Sequence, residues 1–123
     1  MTTKLKPAIK KLWVNALRSN NYKQGQRLLH QPEDNTFCCL GVLCDIHRKV
    51  SKKGKSEWKA KTNTANTSYK GASATLPLIV ATWAFQQEPK AIPYIPSKGS
   101  LAKLNDEDKL SFTQIADLIE RYF

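Results

Sequence analysis

The sequence predicts an α+β fold, a compact single domain of about four helices with a small β-hairpin between the first two. Three observations lead there. Apolar residues recur at three- and four-residue spacing in four separate stretches, the signature of amphipathic helices. Thr36-Phe37, β-branched then aromatic, read as strand, and Gln26 to Gln31 can pair with them across the Pro32-Glu33-Asp34 loop as a short hairpin. The length of 123 residues suits one domain able to bury about two-thirds of the surface of its unfolded form, with no disulfide or metal needed for folding.

The first helix runs from Pro7 to Leu17. Ile9, Leu12, Trp13, Ala16 and Leu17 form its apolar face, and Lys10, Lys11, Asn15 and Arg18 form its polar one. Pro7 suits the first turn, where a missing N–H costs nothing. Ser19-Asn20-Asn21 ends the helix, because these residues favour turns and Asn tolerates a left-handed backbone. Tyr22-Lys23-Gln24-Gly25 then reads as a turn. Gln26 to Gln31 pairs with Asn35 to Phe37 across the Pro32 loop, and His30 near that loop reads as exposed and structural.

The segment Asn35 to Lys49 holds all three cysteines and a dense apolar run. Thr36-Phe37 reads as the end of a strand, and a helix begins near Cys38 or Cys39. Leu40, Leu43, Cys44, His47 and Val50 form its buried stripe, with Gly41, Asp45, Arg48 and Lys49 towards water.

Residues 51–75 form a basic polar loop or insertion within the single domain of residues 1–123. The Lys-rich part runs from Ser51 to Lys61, and a polar tract without apolar period follows, with room for a small hairpin around Trp58 and Tyr69. Pro77 to Phe85 is the third helix, apolar on nearly all sides, which places it centrally or at an interface. Three prolines between Gln87 and Gly99 forbid helix and favour an extended connector. Ser100 to Leu104 makes a helical turn broken at Asn105-Asp106. Ser111-Phe112-Thr113-Gln114 is a capping box that starts the last helix, with Ile115, Leu118, Ile119 and Tyr122 on its apolar face.

The net charge of +10 is unevenly spread. Residues 1–30 contribute +7 and residues 48–61 contribute +6, while residues 31–47 and 101–123 are acidic on balance. A surface of this kind suits an anionic partner, nucleic acid or a nucleotide-like ligand, and equally serves solubility. Lys23, Gln24 and Arg27 by the turn, with Lys52, Lys53, Lys55, Trp58, Lys59 and Lys61 in the insertion, are the candidate contacts. Ammonium groups neutralise phosphates there and an aromatic face stacks on a base. No apolar stretch approaches the roughly 18 residues of a membrane helix, and the first residues lack the apolar core of a signal peptide, so a cytoplasmic protein is expected.

No reaction is spelled out. Cys38, Cys39, Cys44 and His47 invite a zinc reading, but Cys39 lies about 140° round the helix from Cys44, and no C-x₂-C pair fixes a knuckle. Neither a metal nor a cofactor is expected. A thiol-dependent enzyme using Cys38 or Cys39 is an alternative, since a helix N-terminus lowers a thiol's pKa; the local sequence offers no base beyond His30 across the hairpin. A second alternative is an inhibitor that binds an acidic host protein through exposed aromatics such as Trp58, Tyr69 or Tyr94.

Trp13 to Ser19, Tyr22-Lys23-Gln24-Gly25, Phe37-Cys38-Cys39-Leu40-Gly41-Val42-Leu43-Cys44-Asp45, Leu76-Pro77 with Val80 and Trp83, Leu101-Ala102 with Leu104-Asn105-Asp106, and Ser111-Phe112 with Ile115 to Glu120 together carry a resemblance. The chain resembles a family of small bacteriophage and prophage proteins without an assigned function, and the likeness spans nearly its whole length. The resemblance implies a phage-encoded accessory protein in the host cytoplasm, of a kind that works by binding more often than by catalysis. It brings no active site with it.

Overall fold

The structure is a computed structural model that describes residues 5–26, 28–31, 33–50, 59–60, 67–69, 76–85, 94–95 and 98–123, with the backbone alone at 59–60, 67–68, 78 and 94. The fold is α+β, as expected, with five helices among the described residues where about four were expected.

Helix α1 spans Pro7–Arg18 with Pro at its first turn, and Asn20 takes the left-handed conformation just beyond its end, at φ 63°. Ile9, Trp13, Val14 and Leu17 are its buried residues. Leu12, expected in the core, is 44% exposed instead. The apolar stripe is wider than the surface that α2 and α5 cover, so one edge of it faces out.

Tyr22–Gly25 is not merely a turn. Lys23–Gln24 form strand β1, which pairs in parallel with β3, Thr36–Phe37, while β2, His30–Gln31, pairs with β3 antiparallel as the expected hairpin. The sheet order is β1-β3-β2. Helix α2, Cys39–Val50, is buried on every side from Cys39 to His47. Gly41 and Asp45, expected towards water, are inside. A Cβ on Gly41 would collide with the carbonyl of Leu29, so the close approach of the chain before β2 requires glycine there.

Strands β4, Lys59–Ala60, and β5, Thr67–Ser68, form an antiparallel pair inside the insertion. Tyr69, next in sequence, is fully buried. Helix α3, Leu78–Ala84, buries Val80, Ala81 and Ala84 but leaves Ile79 52% exposed. Its end is tied to the start of the chain by a Leu5–Phe85 bridge. The proline-rich connector contains strand β6, Tyr94–Ile95, paired with β7, Gly99–Ser100. Helix α4, Leu101–Asp106, continues through Asn105 instead of breaking there.

Helix α5, Phe112–Tyr122, starts at the predicted capping box, with both reciprocal hydrogen bonds between Ser111 and Gln114 formed. Phe112, Ile115, Ala116 and Ile119 point into a core shared with Trp13, Leu40, Leu43 and Val80. Asn105, fully buried, joins the distant parts. Its Oδ1 accepts from the Cys39 N–H at the start of α2 and from the Gln24 amide, and its Nδ2 donates to the Gly25 carbonyl. An N–H in the first turn of α2 is thus satisfied by a side chain 66 residues away.

Candidate functional site

The three thiols of the sequence-based enzyme reading lie within this core. Cys38 is 3% exposed, and Cys39 and Cys44 are fully buried. Burial pushes the Cys38 thiol up to about 11, and it raises Cys39 and Cys44 well above the ordinary range. Cys39 donates its S–H to the Leu101 carbonyl. The position at the start of a helix does lower a thiol's pKa in principle, but desolvation outweighs it here, so the thiols are neutral at physiological pH and offer no nucleophile. Among the described residues no three His, Cys, Asp or Glu side chains gather as a metal site.

Of the contacts read from sequence, Lys23 is exposed on β1. Gln24 is engaged in the fold: its amide nitrogen donates to Asn105 and to the Leu110 carbonyl, and its oxygen accepts from the Phe112 N–H. Arg27, Lys52, Lys53, Lys55, Trp58 and Lys61 lie outside the described residues, as do the side chains of Lys59 and Tyr94. Tyr69 is no surface anchor. Its hydroxyl meets His47 Nδ1 at 2.6 Å, and the imidazole also meets Trp83 edge-on at 4.9 Å.

What the structure does bring together is a groove of about 660 Å³ between α1 and α2, closed at one end by the small sheet. From α1 and its C-cap it receives Leu12, Asn15, Ala16 and Ser19; from α2 it receives Asp45, Ile46, Arg48, Lys49 and Val50. Phe37 forms the end wall, with the His30 ring stacked on it at 4.5 Å and the Tyr22 ring edge-on at 5.1 Å. His30 Nε2 lies 3.1 Å from Asn35 Oδ1.

One network sets the electrostatics of this groove. The Asp45 side chain is only 7% exposed. Its Oδ1 accepts from Arg48 Nε at 2.7 Å, and its Oδ2 accepts from the Tyr22 hydroxyl at 2.6 Å. Lys49 Nζ donates to the same hydroxyl at 3.1 Å and lies 5.2 Å from the centre of the Tyr22 ring. Burial and the hydrogen bond to Asp45 raise the Tyr22 pKa, and the bond to Tyr22 raises that of Lys49. Tyr22 therefore stays neutral at neutral pH, and Lys49 and Arg48 stay charged. The i, i+3 and i+4 spacing of Asp45, Arg48 and Lys49 was visible in the sequence as a helix-surface ion-pair pattern. The contribution of Tyr22, from 23 residues upstream of Asp45, had no local signal.

Fold and site together define a small α+β domain with its thiols sealed in the core and a mixed apolar and cationic groove on one side. The chain belongs to the family described as Domain of unknown function (DUF8296), whose model matches residues 5–123. Neither a curated protein nor a solved structure matches it.

Proposed function

We propose that the protein is a non-enzymatic bacteriophage accessory protein that acts in the host cytoplasm by binding an anionic partner, a nucleotide-like ligand, in the groove between α1 and α2. The observation that carries this reading is the groove itself. Its volume falls within the roughly 300–1,000 Å³ typical of small-molecule sites, and it combines apolar and aromatic walls with a few placed polar groups, as such sites do. Arg48 and Lys49 supply positive charge beside those walls, and the net charge of +10 draws anions towards the molecule as a whole. Neutral, buried thiols favour binding over thiol chemistry. No helix among the described residues is long and apolar enough to cross a membrane.

Native mass spectrometry of the protein recovered gently from infected host lysate tests the reading against its denatured mass. A discrete small added mass is expected. A ragged, nuclease-sensitive addition would replace the groove ligand by nucleic acid. A bare chain that no nucleotide stabilises against heat would remove the ligand reading.

Inhibition of a host or defence protein is the second reading. It is favoured by Leu12 and Val50, 44% and 43% exposed, which stand together on the rim of the groove. Large apolar side chains beside cations suit an acidic, partly apolar protein surface. A stoichiometric host protein in the same spectrum would select it.

A further inference from the structure

Arg48 and Lys49 occupy the last turn of α2, where cations offset the negative end of the helix dipole. The dipole accounts for two positive charges at that point. It does not account for the way they are held. Asp45 lies one turn earlier, in the wall of the groove, and its carboxylate grips Arg48 through Nε alone. The two terminal guanidinium nitrogens make no hydrogen bond to any described residue, and Arg48 is 35% exposed along the groove. Lys49 is steered by the Tyr22 hydroxyl and stands 3.6 Å from the other carboxylate oxygen. The acid is thus spent inside the wall, and the trio presents one net positive charge outward.

A guanidinium anchored at Nε keeps the paired edge of its terminal nitrogens, the edge that takes two oxygens of one phosphate. Anchoring also removes part of the rotamer entropy that a loose arginine loses on binding. We infer that Arg48, positioned by buried Asp45 and seconded by Lys49, is a phosphate subsite of the groove, taking a phosphate monoester whose apolar or aromatic body lies against Leu12, Ala16 and Val50. This rests on the reading of the groove as a ligand site. Arg48 is the binding residue, and Asp45 is a positioning residue that touches no ligand.

The test is a ¹⁵N NMR titration of the full chain with phenyl phosphate, with phenol and inorganic phosphate as comparisons. The readout is the Arg48 Nε–Hε resonance, assigned by its loss in Arg48→Lys. A saturable shift is expected with phenyl phosphate, with affinity at least about tenfold above that of phenol, since charged hydrogen bonds are each worth about a factor of ten or more. Arg48→Lys keeps the charge but not the fork, and its affinity should fall about tenfold at an unchanged melting temperature. In Asp45→Asn the resonance should broaden and the affinity fall in parallel; if that variant does not fold, Arg48→Lys decides. Absence of a saturable shift, or equal affinity in Arg48→Lys, overturns the subsite even if a nucleotide is recovered from lysate. A shift at Arg48 with no nucleotide recovered leaves the subsite standing and removes the nucleotide reading.

Discussion

Asn105 makes four side-chain hydrogen bonds to described residues from full burial, two through each end of its amide. Removing it takes a partner from the Cys39 N–H, which is buried, and from the part-buried Gly25 carbonyl and Gln24 amide. Leaving buried groups unsatisfied costs about 1–3 kcal/mol each, so Asn105→Ala should lose roughly 3 kcal/mol in urea denaturation. A loss below about 1 kcal/mol would mean that water replaces the amide. Cys38 gives a pH prediction of definite sign. Its folded pKa, about 11, lies above the ordinary value of 9.0, so the native state holds the proton more tightly. The associated stability is complete below about pH 9 and is lost as pH rises through about 11, on the order of 2–3 kcal/mol. Urea midpoints measured from pH 8 to 11 should therefore fall, and Cys38→Ser should flatten the slope by about one proton. A Cys38→Ser slope equal to that of the parent would show that this thiol does not titrate on unfolding.

Among the elements, α2 departs most from its sequence reading. Periodicity alone finds a stripe, because Leu40, Leu43, Cys44 and His47 repeat at helical spacing. Nothing local says that the opposite face is covered as well. That face is covered because the chain before β2 runs against Gly41, and because Tyr22 closes over Asp45. Gly41→Ala should destabilise by about 3 kcal/mol or more in a chemical melt, since the neighbour it meets is backbone and cannot rotate away. The terminal helix is the opposite case. Its capping box was legible from Ser111 and Gln114 and is formed as read. Ser111→Ala should cost about 1 kcal/mol, a fall of a few degrees in Tm by calorimetry. Arg18, by contrast, joins α1 to Asp117 and Glu120 of α5 at the surface, and solvent screening leaves exposed pairs of this kind little weight in stability.

At the scale of the molecule, charge separates the readings. A strand of nucleic acid held by the basic tract should show affinity falling linearly on a log–log salt plot, with a slope near 0.7 to 0.9 per phosphate contact. A phosphate monoester on Arg48 carries no condensed counterion atmosphere and should show a much shallower dependence. Replacing Lys52, Lys53, Lys55, Lys59 and Lys61 by Ser should abolish nucleic-acid binding in fluorescence anisotropy and leave the Arg48 titration unchanged. If both are lost together, tract and groove form one site.

The α+β class, α1, the start of α2, the β2–β3 hairpin and α5 with its cap were determined by the sequence by itself, because each depends on residues within a turn or a hairpin of one another. The tertiary structure alone decided that β1 pairs in parallel with β3, that Asn105 caps α2, that Tyr69 is core and that Leu12 is rim. These depend on partners twelve or more residues apart, or on which part of an apolar stripe a neighbour happens to cover. The groove belongs to the second group. Its walls come from two helices and a sheet that meet only after packing, and its cations are held by Asp45, which grips Arg48, and by Tyr22, which holds Lys49. Spacing along a helix can place Asp45, Arg48 and Lys49 side by side, but only burial of the acid makes the arginine a directed donor, because a carboxylate in water would leave it free to rotate.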